Sequence, residues 1–126
     1  MHQKAGYYLH IQPGNCFLIG GIWRPEPQVL KALRQSIDTN SEELREILSD
    51  KKLSQQFELR GDQVKTAPKG YKKDNPNIDL LRYKDLYVLK NIKDEVVLGD
   101  NFFKELVKLS KIVYPLGNYI NSLIVK

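Results

Sequence analysis

In Tyr7-Tyr8-Leu9-His10-Ile11, residues Tyr7, Leu9 and Ile11 fall on one side and Tyr8 and His10 on the other. That period of two predicts a strand. Pro13-Gly14-Asn15 combines a fixed φ with a residue tolerant of positive φ, a tight reversal into Cys16-Phe17-Leu18-Ile19, so the chain opens with a hairpin. The second strand runs on through Gly20-Gly21-Ile22-Trp23, where the glycines weaken the ladder and let another backbone or a ligand come close. Pro25-Glu26-Pro27 stops it and opens a helix with Val29, Leu30, Leu33 and Ile37 at helical spacing. Asn40-Ser41 caps a second helix with Leu44, Ile47 and Leu48 inside, and a short third one passes through Leu53 and Phe57. From 61 to 76 the pattern dissolves into a long surface loop. A helical turn over 77–81 leads to a third strand in Lys84-Asp85-Leu86-Tyr87-Val88-Leu89-Lys90. After an Asp100-Asn101 cap, Phe102, Leu106, Leu109, Val113, Leu116 and Ile120 form the stripe of a long amphipathic helix, which Pro115 kinks or divides. The expected class is α+β: an antiparallel sheet starting with an N-terminal hairpin, covered by helices that include a long C-terminal one kinked near Pro115.

Composition narrows the picture. With 126 residues, 41% hydrophobic and 28% charged, one domain over 1–126 is expected, and collagen-like, mucin-like, disordered and disulfide-scaffold classes drop out. The single cysteine, Cys16, forms neither an internal disulfide nor a thiolate zinc site by itself. No stretch approaches the roughly 20 apolar residues of a membrane span. Met1-His2-Gln3-Lys4-Ala5-Gly6 lacks the apolar core of a secretory signal, so a cytoplasmic protein without a membrane partner is expected.

The net charge of +5 is localised: residues 60–93 carry nine basic against four acidic groups, and the rest of the chain is balanced. The densest part is Pro68-Lys69-Gly70-Tyr71-Lys72-Lys73-Asp74-Asn75-Pro76. Three ammonium groups with one ring suit an anion. The same letters suit a solvated loop with Tyr71 packed down and the lysine stems lying on apolar surface. Asp74 and Asp79 read as turn caps rather than a catalytic pair, and Arg60-Gly61-Asp62 is ordinary turn chemistry.

His2 and His10 are the only histidines, so any triad or metal site would have to be built on His10. No metal site and no cofactor is expected, and His10 reads first as a hydrogen-bonded structural residue. Gly20-Gly21 is followed by no P-loop lysine and opens no GxGxxG turn, which points to close backbone packing. Trp23 reads as a core anchor, with an exposed stacking role as the alternative. Arg24 faces outward toward an anion or an acidic neighbour.

These segments resemble an uncharacterised, mainly bacterial family, the domain of unknown function 2461 group. The resemblance is carried collinearly by Gly6-Tyr7-Tyr8-Leu9-His10-Ile11 with Pro13-Gly14, by Gly20-Gly21-Ile22-Trp23 with Pro25-Glu26-Pro27, and by Pro68-Lys69-Gly70-Tyr71 with Asp74, Pro76, Asp79-Leu80-Leu81 and Lys84. The final helix with Pro115-Leu116 also fits. The family pattern usually has histidine where this chain has Asn75 and glutamate where it has Gln12. The resemblance implies no activity. It does imply further N-terminal helices and a strand, so the chain is expected to be the C-terminal portion of a longer family domain. If that strand normally pairs with Tyr7 to Ile11, an open edge or apolar patch results, with possible homo-oligomers.

Three function classes follow. The first is recognition of an anionic small molecule or an acidic protein surface by Lys69, Tyr71, Lys72 and Lys73, with Trp23, Arg24 and His10 as further ligand-binding candidates. Nucleic acid is its weakest version, because Tyr71, Tyr83 and Tyr87 are the only aromatics in the basic segment. The second is an enzyme with His10 as base and Lys69 stabilising negative charge near Trp23. The third is a structural or self-associating domain without a small ligand.

Overall fold

The predicted hairpin forms at Gly6–His10 (β1) and Cys16–Ile22 (β2) in a computed structural model that describes residues 4–124. His2 lies outside the described residues. The hairpin turn is closed by the Asn15 N–H donating to Gln12 O at 2.7 Å, and the Gly14 N–H donates to the Asp94 carboxylate at 2.9 Å. Glu58–Arg60 (β3) and Leu86–Ile92 (β4) complete a four-stranded sheet in the order β1-β2-β4-β3, every pair antiparallel.

Three features depart from the sequence reading, and one is a four-residue helix at Asp94–Val97, in a segment given no element. β3 was not expected, because three residues are too short to display a period and its partner lies almost thirty positions away. β4 begins at Leu86 rather than Lys84, because the Lys84 N–H is committed to Asp62 O and the Asp85 side chain is turned to two loops. It ends at Ile92, opposite Cys16.

Six helices accompany the sheet among the described residues: α1 Pro27–Thr39, α2 Glu42–Ser49, α3 Lys51–Gln56, α4 Ile78–Leu81, α5 Asp94–Val97 and α6 Phe102–Ile124. α6 runs as one element through Pro115, which is exposed. Its buried stripe of Leu109, Val113, Leu116 and Ile120 faces Leu18, Ile22, Leu86 and Val88 in one cluster with Val29, Leu33 and Ile37 of α1. Burying a side chain of this size contributes roughly 1.5–3 kcal/mol, so the stripe is a principal source of stability. The Ser36 and Tyr119 hydroxyls, 2.9 Å apart, tie α1 to α6.

Gly20 explains how closely α6 approaches β2. A Cβ at Gly20 would run into the Val113 side chain, and one at Gly21 into the Leu86–Tyr87 backbone, so the predicted close packing is that of a helix on a strand at Gly20 and of neighbouring strands at Gly21. Among the described residues, the buried positions of β2 are Cys16, Leu18, Gly20 and Ile22, the face on which α6 packs.

Candidate functional site

Side chains alternate across a strand, so the register dictates what the opposite face of the sheet carries. Tyr8, Ile19, Leu89 and Glu58 form one row, and His10, Phe17 and Asn91 a second. The third row is Gly6, Gly21, Tyr87 and Arg60. Such a face is ordinarily polar. Here Tyr8, Phe17, Ile19, Trp23 and Tyr87 line a groove of about 460 Å³. Gly6 and Gly21 add no side chain to their row.

The rim of the groove is ordered by ring contacts. His10 stacks on Phe17 with centroids 4.7 Å apart, and Tyr8 lies 6.2 Å from the same ring. His10 Nδ1 is 3.2 Å from the Tyr8 hydroxyl and Nε2 is 3.1 Å from Gln12 Oε1. An Nε2–H donor with Nδ1 accepting from Tyr8 satisfies both contacts.

At the other end, Trp23 is 60% exposed, which corrects its assignment as a core anchor. β2 ends at Ile22, so the indole leaves the ladder and its alternating burial. The Arg24 guanidinium sits 4.5 Å from the centroid of the Trp23 ring, a cation–π contact. Arg24 has φ +49°, and its backbone N–H donates to Asp85 Oδ1 at 2.6 Å. Asp85 Oδ2 accepts the Asp62 N–H at 3.2 Å, so one carboxylate, only 5% exposed, fixes both the Trp23 turn and the 61–62 turn.

The lysine loop lies elsewhere. The Tyr71 N–H donates to Pro68 O at 3.1 Å, and Gly70 at φ +94° supplies the positive φ that this turn needs at its third position. Tyr71 packs against the core near Arg34 of α1, whose pKa burial lowers and the Tyr71 hydroxyl raises. Asn75 Nδ2 donates to Asp38, and Asn77 Nδ2 donates to Ile37 O, so the loop is stapled to α1 on the helical side. Arg45 holds Asp79 at 2.8 Å, and that hydrogen bond keeps the Asp79 carboxyl below its ordinary range. Lys65, Lys69, Lys72 and Lys73 are exposed and in no ion pair among the described residues. Of the candidates, the structure gathers Trp23, Arg24 and His10 around the aromatic face and sets Lys69, Tyr71, Lys72 and Lys73 apart from it.

Among the described residues, no group of three or more His, Cys, Asp or Glu side chains could hold a metal ion, and no helix is long and apolar enough to cross a membrane. The family described as "Conserved hypothetical protein (DUF2461)" matches the sequence over residues 1–119. The chain belongs to the DUF2461 family. Comparison with curated proteins and with solved structures returned no match. In this DUF2461 chain the segments that carried the resemblance divide between two surfaces. Tyr8, His10 and Trp23 border the aromatic groove, whereas Pro68-Lys69-Gly70-Tyr71 forms the turn on the helical side. Sequence reasoning passed over Phe17, Ile19, Tyr87 and Asp85. A signal for the first two exists: Cys16-Phe17-Leu18-Ile19 has no polar residue in either phase, as expected for a strand apolar on both faces.

Proposed function

We propose that this domain is an interaction module whose working surface is the helix-free face of its sheet together with the open edge of β1. The observation that carries this reading is the groove of Tyr8, Phe17, Ile19, Trp23 and Tyr87, where an antiparallel sheet normally presents polar side chains to water. Tyr8 belongs both to the edge strand and to the groove, so a polypeptide strand added along β1 would bring its own apolar side chains over the same face.

Trp23 is the only tryptophan, so its emission reports on the groove directly. The expected result is a blue shift of Trp23 emission and enhancement of an apolar dye, both reduced in Ile19→Lys and Tyr8→Lys variants that keep their far-UV circular dichroism. Concentration-dependent sedimentation that reverts to monomer in Tyr8→Lys would identify a second copy as occupant. Emission and dye signals unchanged by both substitutions would overturn the reading.

A second reading is favoured by the lysine loop, whose exposed ammonium groups are presented on a stapled turn: contact with an anionic small molecule or an acidic surface at Lys69, Lys72 and Lys73. It predicts phosphosugar or oligonucleotide binding that weakens steeply with salt and is lost in Lys72→Glu/Lys73→Glu. The enzyme reading, with His10, Trp23 and Lys69 in one pocket, gains no support from a groove that contains none of the loop lysines.

A further inference from the structure

α6 carries lysines at 104, 108 and 111, spaced by four and three residues and hence on one side of the helix. Their backbone positions span about 10 Å along its axis. On the neighbouring α3, Lys52 faces the same depression. The four lysines border a groove of about 620 Å³ with Val107, Ile112 and Pro115 also in its lining. None of the four is in an ion pair among the described residues. The single acidic side chain in the lining, Asp50, accepts the Leu53 N–H at the start of α3 and leaves the four lysines in excess. Four like charges brought together around apolar surface repel one another, and an anionic occupant relieves that repulsion. The sequence hides this cluster, because over the whole chain the positive excess resides in residues 60–93 and α6 does not stand out.

We propose that the groove between α3 and the middle of α6 binds an acidic peptide segment with aliphatic side chains among its carboxylates. The carboxylates meet Lys52, Lys104, Lys108 and Lys111, and an aliphatic side chain covers Val107, Ile112 and Pro115. The apolar part of the lining, Val107, Ile112 and Pro115, favours a peptide with aliphatic side chains over a phosphate polyanion, whose oxygens gain nothing from it. The site is separate from the aromatic face and does not depend on the proposed function of that face.

The test is fluorescence anisotropy with the full chain and a labelled peptide in which glutamates alternate with leucines, at low and high salt. Competitors are phosphatidylserine vesicles and a single-stranded oligonucleotide. Binding should weaken about tenfold in Lys104→Glu/Lys108→Glu and less than about twofold in Lys72→Glu/Lys73→Glu, which changes the net charge equally. A lysine–leucine peptide should bind the Lys104→Glu/Lys108→Glu variant better than the wild type. Replacing the leucines by serine should weaken binding at constant charge. If the charge reversal disturbs the far-UV spectrum, Lys104→Gln/Lys108→Gln gives the same comparison. The proposal is overturned by no peptide binding, by equal loss in the two double variants, or by vesicles or oligonucleotide displacing the peptide while the serine peptide binds as well as the leucine one.

Discussion

The Arg24 backbone N–H stands 2.6 Å from the Asp85 carboxylate, a contact between residues 61 positions apart that sets the direction in which Trp23 leaves the sheet. The other Asp85 oxygen holds the Asp62 N–H, so the group works as a two-way bracket in a buried place.

Asp85→Ala should therefore leave two backbone donors without their acceptor and cost about 2–4 kcal/mol. Urea unfolding followed by Trp23 fluorescence measures this, and the native emission should shift with it because the Trp23 turn loses its anchor. A loss below about 0.5 kcal/mol would mean that the bracket contributes little.

Gly20 and Val113 form a second pair with a direct test. Gly20→Ala places a methyl group against Val113 and should destabilise by about 1–3 kcal/mol. Val113→Ala alone opens space, and the double variant should be more stable than the sum of the single effects predicts. Strict additivity in thermal or urea unfolding would contradict the packing of α6 on β2.

The Arg45–Asp79 pair ties α2 to α4 with two hydrogen bonds of 2.8 and 3.0 Å, and that bonding lowers the Asp79 pKa from 3.8. A carboxylate whose pKa falls on folding contributes stability above its unfolded value and loses it as pH drops through the folded one. Asp79 is 61% exposed, so solvent screening keeps the contribution at or below about 1 kcal/mol. Asp79→Asn should be less stable than the wild type by that small amount at neutral pH. The difference should vanish in acid below the usual carboxylate range. An unchanged gap at low pH, read from paired urea titrations, would rule out this linkage.

Much of the architecture was legible because it rests on local rules. The hairpin follows from alternation around Pro13-Gly14, α1 from Pro27 with Val29, Leu33 and Ile37, and α6 from a stripe long enough to show its period. Missing from that reading was β3, whose three residues are a strand only because β4 pairs with them. Trp23 was misassigned for a related reason: as a residue type it favours burial, and only the end of the ladder at Ile22 exposes it.

The candidate surfaces were less legible. Tyr8 and His10 were correctly set on the face opposite Leu9, but one strand does not reveal whether helices cover that face. Lys104, Lys108 and Lys111 share a side of α6 in any helical reading, yet Lys52 joins them only because α3 packs beside α6. Tyr71 could be read as a ligand contact or as an anchor, and only the fold shows its ring packed against the core cluster.

By itself, the order of residues determined the longer elements, the α+β class and the family, because periodicity, caps and turns act over a few neighbouring positions. Which sheet face stays bare, which carboxylate is buried and which lysines meet in one groove were decided only by tertiary packing. Those outcomes depend on the register of β1, β2 and β4 and on how closely Gly20 admits α6, and both are contacts between segments far apart in the chain.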